Sequence, residues 1–534
     1  MEKRKWNTKN LWQILTIIGF AVVCFCFFQL MYPYHFFFKG QNQLFLMSWS
    51  YVSTLFAKPA WAACLAGEFM TQFYYYDVAG ATILTISLIV LFWLAYQALN
   101  SLKFKWWIIL IVTLLITLRE TSCHLYYCYT LSSTYALIGS LLLFLMLRKL
   151  MGYRWYWVLT VMLLGTLFCY WLFGYGVWLF LLLSALVVWR VTVPIALTFV
   201  CLLPFMRSYY NLTFSDLCQY PGIERLHVPD FLKETDFHMI HSYEIGDWDD
   251  VVATAEKDPV LNILKDRNSQ LRLTQDARVS STVRRFIYNL VQAQRGKLPD
   301  VLMEYYPNYL GTFTSMIGTN IPGLMFMNLH EFYYAIGDIS RAERGAFMSC
   351  VSVPSNRNIY NVKRLAECAL VRNDQKAAEK FLGLLHQTIP YREWAERAPN
   401  DKRYRKKAQF INLQDTISPS EESYNIMTQL VKSNPKNKVA LDYMLCSLLL
   451  KKNLDNFKRD YDQYCIEQPH IRKLYQEALC IWLINQEASE EDWQKYIKDQ
   501  QIRSNLRDYM ADRANPRFTD TYWYYFDFFN LEGN

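Results

Sequence analysis

Arg119, Glu120, Cys123, His124 and Cys128 lie close together directly after an apolar run. Charge at the edge of such a run is costly to leave alone, so these groups either pair or serve a site. Three readings of Arg119 and Glu120 stand open: a structural ion pair, an active or binding site, or two side chains reaching for water. His124 adds an imidazole that can bind a ligand. Two further carboxylates, Glu68 and Asp77, fall between the first and second apolar runs. A carboxylate so placed either serves a site or faces headgroups and water. The competing reading of Glu68 is a headgroup-facing residue on an interfacial helix.

Elsewhere the chemistry is thinner. His238, His241 and Glu244 repeat every three residues, which places two imidazoles and a carboxylate on one helix face. No second cluster completes a ligand set, so no metal site is expected. The 13 cysteines contain no CxxC pair, and Cys123 with Cys128 is the one pair suited to a bridge. No phosphate loop, dinucleotide fingerprint, nucleophile elbow or zincin helix is present, and no cofactor is implied by any motif.

The elements that must position these residues come in two materials. Residues 1–210 hold 14 Lys and Arg against four acids, a net of +10, whereas the rest holds 41 basic and 43 acidic residues, a net of −2. A single soluble globule and a wholly disordered chain are both excluded. The formal charge of +8 does not mark a nucleic-acid binder, because its surplus lies in the apolar half. Apolar stretches at 11–32, 79–99, 106–118, 130–147, 155–172, 175–189 and 191–206 predict seven membrane spans, several of them short for a hydrocarbon core of about 30 Å. Lys103 and Lys105, Arg148, Lys149 and Arg154, and Arg190 fall in alternate loops on the side of the basic N-terminus. The positive-inside rule makes that side cytoplasmic, and seven crossings place the chain after Arg207 outside.

The first outer loop, 33–78, is long. An amphipathic stretch at 43–56 puts Leu44, Phe45, Met47, Val52, Leu55 and Phe56 on one face, as in a helix lying among headgroups. Lys58-Pro59 interrupts it, and a second helical stretch follows at 60–76. After a connector at 211–234, residues 235–534 read as helical pairs around short polar turns: Ile245-Gly246-Asp247-Trp248, Arg295-Gly296-Lys297-Leu298, Ile336-Gly337-Asp338-Ile339, Arg372-Asn373-Asp374-Gln375 and Lys452-Asn453-Leu454-Asp455. Strand signals are sparse. The expected fold class is all-α: a polytopic helix bundle followed by a degenerate tetratricopeptide-like array. The aromatic end, 521–529, reads as a packed cap.

This arrangement resembles the membrane module of GT-C glycosyltransferases, which take sugars from lipid-phosphate donors. The segments Lys39-Gly40-Gln41-Asn42-Gln43-Leu44-Phe45 and Gly67-Glu68-Phe69-Met70-Thr71-Gln72-Phe73 are more specifically similar to an uncharacterised family of bacterial polytopic membrane proteins of this layout. The resemblance implies an inner-membrane protein, a lipid-linked sugar donor and an acidic catalytic residue in the first outer loop. Just after the first span, where that acid is expected, the chain reads Lys39-Gly40-Gln41 instead, so the resemblance leaves Glu68, Asp77 and Glu120 as the candidate catalytic acids or bases and Arg119 and His124 as candidate binding residues. A second class of function stands beside the first: a non-enzymatic envelope scaffold, held among membrane lipids, whose repeat surface binds a protein partner.

Overall fold

The structure is a computed structural model that describes residues 8–152, 154–222, 233–265, 273–305, 323–352, 358–408, 423–466 and 471–529. Among them every regular element is helical. Two compact units are present, one formed by Met1–Glu234 with Arg357–Tyr360 and Gly383–Glu396, the other by the remainder.

In the first unit, α1 (Thr8–Met31), α5 (Ala79–Ser101), α6 (Trp106–Cys123), α8 (Trp155–Phe173) and α9 (Gly176–Tyr210) are built from apolar runs, while α7 (Leu131–Leu147) is a shorter one. Between α1 and α5 lie α2 (Pro33–Gln41), α3 (Trp49–Leu55) and α4 (Trp61–Thr71), and α10 (Phe214–Gln219) follows α9. Five helices among the described residues are long and apolar enough to cross a membrane.

That differs from seven full-length spans, for two reasons. α7 has only 17 residues. The stretches expected at 175–189 and 191–206 are the two helical limbs of α9, which meet at Val188, where the backbone departs from helical geometry (φ −137°, ψ 57°). The chain reverses there, because the rings of Trp178 and Phe199 are 5.6 Å apart, whereas a straight helix would separate them by about 30 Å. The backbone N–H of Tyr175 also donates to the carbonyl of Tyr220 at 2.8 Å. The limb 176–187 rises only about 18 Å, short of a hydrocarbon core.

The core of this unit joins Phe28 and Tyr32 of the first segment to Leu84, Leu88 and Leu91 of α5, Phe144 of α7, Tyr170 of α8 and Phe180 of α9. α4 lies directly on α7: a Cβ on Gly67 would fall 2.4 Å from the backbone nitrogen of Ser132, so only glycine permits the approach. The first outer loop differs from a helix with one lipid-facing stripe. Of the expected face Leu44, Phe45 and Leu55 are buried, Val52 and Phe56 are half-buried and Met47 is 50% exposed. The loop thus spends most of its apolar face on protein, and its return contacts include Tyr391 Oη donating to Gln41 at 3.0 Å and the Met47 amide donating to the Gln387 carbonyl at 2.8 Å.

The second unit repeats one device. Each of the five polar turns has a left-handed residue: Gly246, Gly296, Gly337, Asn373 or Lys452. The next residue's amide donates back across the helix end, as from Asp247 to Ser242, Lys297 to Gln292, Asp338 to Tyr333, Asp374 to Ala369 and Asn453 to Leu448. These bonds satisfy carbonyls that a helix terminus would otherwise leave open. Asp247, Asp338, Asp374 and Asn453 then accept an amide three residues on, starting the next helix. Buried charge ties pairs together: Arg284 reaches Asp236 at 2.5 Å and Asp258 at 2.6 Å, and Arg364 holds Glu331 at 2.6 Å.

The aromatic end packs as a cap. Trp523 donates from Nε1 to the Glu477 carbonyl at 2.8 Å, Tyr522 Oη donates to the Leu449 carbonyl at 2.9 Å, and Lys452 Nζ closes the carbonyls of Phe526 and Phe529. Trp523→Ala should cost the second unit about 3–5 kcal/mol. Hydrogen exchange on the full chain should show protection lost in helices Lys438–Leu450 and Lys473–Asn485 while α5 is unchanged.

Candidate functional site

Proline at the first position of α2 presets its backbone, and the aromatic run that follows makes it a helix buried on most sides. His35 and Lys39 are one helical turn apart, so both face the same way. They meet the loop between α6 and α7. Lys39 Nζ donates to the carbonyls of Tyr129 at 2.9 Å and His124 at 3.3 Å, and His35 Nε2 bonds the His124 carbonyl at 2.9 Å. A carbonyl only accepts, so His35 carries its proton on Nε2.

Glu120, on the last turn of α6, is 1% exposed. Its Oε1 accepts from Tyr129 Oη at 2.8 Å and from Thr134 Oγ1 at 2.7 Å, and its Oε2 has no hydrogen-bond partner. Thr134 has one hydroxyl proton, given to Glu120, so His124 Nε2, 2.7 Å from the same hydroxyl, must donate to it. Burial, then the charge of Lys39, holds both imidazoles well below the usual histidine range. Burial likewise pushes the Tyr129 phenol well above its ordinary value, with nearby Tyr175 and Glu120 adding to it. The result is a network of neutral histidines, a carboxylate and an ammonium, in which Oε2 of Glu120 is buried without a hydrogen-bond partner.

Of the residues singled out from sequence, Glu120 and His124 come together through Thr134. Arg119 does not join them. Adjacent helical positions point about 100° apart, so Glu120 turns inward and Arg119 outward to an exposed position. No ion pair connects the two among the described residues. Glu68 is half-buried on α4 and accepts from Tyr51 Oη at 2.5 Å. Asp77 is exposed beyond the end of the 3₁₀ turn Gln72–Tyr75. Cys123 and Cys128 are unbridged. Among the described residues no group of three His, Cys, Asp or Glu is placed for a metal. His238 instead contacts Asp250 at 2.7 Å.

His35, Lys39, Tyr129 and Thr134 were not singled out from the sequence. The available signal was the lysine one turn after a histidine in an otherwise aromatic helix, where an ammonium must find acceptors. Glu234 was missed as well. It reaches the start of α2 from far along the chain, its Oε1 accepting the Tyr34 amide at 2.7 Å.

A bundle of helices long and apolar enough to cross a membrane, with a buried polar network at one end, defines this chain as a helical membrane protein. It belongs to the family described as a family of unknown function (DUF6057), whose model matches residues 8–529. No curated protein matches the chain. No solved structure matches it either.

Burial pushes the Glu234 carboxyl up to about 8, against the Tyr34 and His35 amides, which lower it. A carboxyl raised in the folded state contributes stability below its ordinary range and loses it as pH rises through the folded value. The protection factors of the Tyr34 and His35 amides should therefore fall between about pH 5 and 8, and Glu234→Gln should flatten that fall.

Proposed function

We propose that this protein is a GT-C-like transferase that takes a sugar from a lipid-linked phosphate donor at the outer face of a bacterial inner membrane, with Glu120 as its acid or base. The observation that carries the reading is the unengaged Oε2 of a buried carboxylate whose other oxygen is fixed by Tyr129 and Thr134. A carboxylate with one oxygen so fixed keeps the other for the proton of an acceptor hydroxyl, which the loop between α6 and α7 must first admit because Oε2 is sealed from solvent. Glu68 is committed to Tyr51 and Asp77 faces solvent, so the weight of the chemistry moves to Glu120. Exposed Arg119 then supplies a cation for the donor phosphate at the rim, and His124 sets the Thr134 hydroxyl. The acid that the resemblance implies just after the first span is supplied from the second outer loop instead.

The topology proposed with it has seven passes, the sixth being the short limb 176–187. The reversal at Val188 supports it, since that turn adds a pass to the five helices of spanning length and to α7. The N-terminus is then cytoplasmic and the second unit extracytoplasmic, where a tetratricopeptide-like array presents the acceptor.

A scaffold reading has its own support. The repeated left-handed turns and the aromatic cap build a helical array of the kind that binds proteins on a continuous surface. On that reading Glu120 only holds the loop between α6 and α7.

The two readings part on one substitution. Glu120→Gln keeps an oxygen to accept from Tyr129 and Thr134 but cannot accept a proton. Cells lacking the protein should lose an envelope glycan or accumulate a lipid-linked saccharide, and the variant should restore about 10²- to 10⁴-fold less transfer than wild type at equal protein level. Unchanged saccharides in the deletion, or full rescue by the variant, would exclude the acid chemistry and leave the scaffold.

A further inference from the structure

The end of the bundle opposite Glu120 carries a different chemistry. Its connections are the α5–α6 turn with Lys103 and Lys105, the α7–α8 connection with Arg148, Lys149 and Arg154, and the reversal at Val188, followed by Arg190. No Asp or Glu occurs in 96–108, 144–158 or 186–194. Among the described residues none of these six cations has an ion pair. Arg154 reaches the Tyr156 hydroxyl at 3.3 Å, and Arg190 lies over the ring of Trp189 at 5.6 Å. The Nε of Arg148 is buried without a hydrogen-bond partner. A cation half withdrawn from water and given no acceptor is costly.

Two of these connections lie at one level. α5 and α7 run in the same direction, and Ser87 of α5 is 3.2 Å from the Tyr135 hydroxyl of α7. The same number of residues further along each helix are Ser101, the end of α5, and Lys149, just past the end of α7. Lys103, Lys105, Arg148 and Lys149 therefore ring the same end of the bundle to within about a turn. Beside them Phe104, Trp106 and Trp107 are exposed, as are Trp155 and Trp157 after Arg154. Indole and phenyl rings at this density mark the depth of a headgroup layer, and a phosphodiester there is the acceptor that the cations lack.

We propose that Lys103, Lys105, Arg148 and Lys149 form a binding site for the phosphate of an anionic phospholipid in the leaflet at that end of the bundle. Arg148 supplies the directed bond through its fork of N–H groups, and the three lysines supply charge. This site does not rest on the transferase reading, whose residues lie at the other end.

The test uses the full chain in nanodiscs of equal parts phosphatidylcholine and phosphatidylglycerol, with the lipid retained after transfer to detergent extracted and quantified. Wild type should retain phosphatidylglycerol in excess, and R148Q/K149Q should reduce that excess about fivefold for each of the two charges it removes. Equal retention of the two lipids by wild type, or an undiminished excess in the variant, would overturn the site. Loss of the excess on adding inorganic phosphate at constant ionic strength would assign it to free phosphate instead and overturn the lipid source. Should R148Q/K149Q fail to accumulate, wild type alone decides. Raising the salt from about 50 to 500 mM should abolish the excess, because ionic attraction at a surface is screened, and an excess that survives would contradict the proposal.

Discussion

A lysine ammonium set in an aromatic helix has to find acceptors, and the organisation of one end of the bundle follows from where Lys39 finds them. Its partners are main-chain carbonyls, those of Tyr129 and His124, both in the short connection between α6 and α7. Carbonyl partners fix a backbone rather than a side chain. With that backbone fixed, Tyr129 and Thr134 converge on one oxygen of Glu120, and the Thr134 hydroxyl determines which nitrogen of His124 bears the proton. α2 itself is anchored at its start by Glu234 and at its end by Tyr391 bonding Gln41. Each link removes an unmet polar group from an apolar setting, and one oxygen each of Glu120 and Glu234 stays buried without a hydrogen-bond partner.

The second unit is stabilised by other means. At its five polar turns a helix ends on a left-handed residue, and at four of them the next restarts on an Asp or Asn cap, so these turns are satisfied locally. Long-range order comes from the buried guanidinium groups of Arg284 and Arg364, each placed between carboxylates, and from aromatic side chains donating to main-chain carbonyls at the C-terminal cap. Removing one partner of such a pair leaves a buried charge, a far larger loss than removing an exposed one.

What could be read from the residues alone follows the range of the forces. The apolar runs, the charge split between the halves and the five polar turns are local patterns, and the helices and their left-handed turns fall on them. Glu120 and His124 were legible because charged groups beside an apolar run are conspicuous. Their partnership was not, since it passes through Thr134 and depends on the path of the loop. Arg119 and Glu120 looked like a pair in one dimension and diverge once wound on a helix. The reversal at Val188 was legible through Arg190, the charge that separates the apolar stretches 175–189 and 191–206, although no glycine marks the turn. Lys39 was visible only as a missing acid, although its own need for acceptors is the stronger physical signal.

The most direct measurement is hydrogen exchange on the full chain in detergent, comparing wild type with Lys39→Met, which keeps the apolar stem of the side chain but not its donors. The Tyr129 carbonyl loses the ammonium and the His124 carbonyl keeps only His35, and a buried acceptor left unmet costs about 1–3 kcal/mol. If Lys39 organises this end of the bundle, protection across residues 124–134 should fall by about tenfold or more, while α5 and the second unit keep theirs. Unchanged protection across 124–134 would contradict the account, because the loop would then be held without the ammonium on which the Glu120 network is argued to depend.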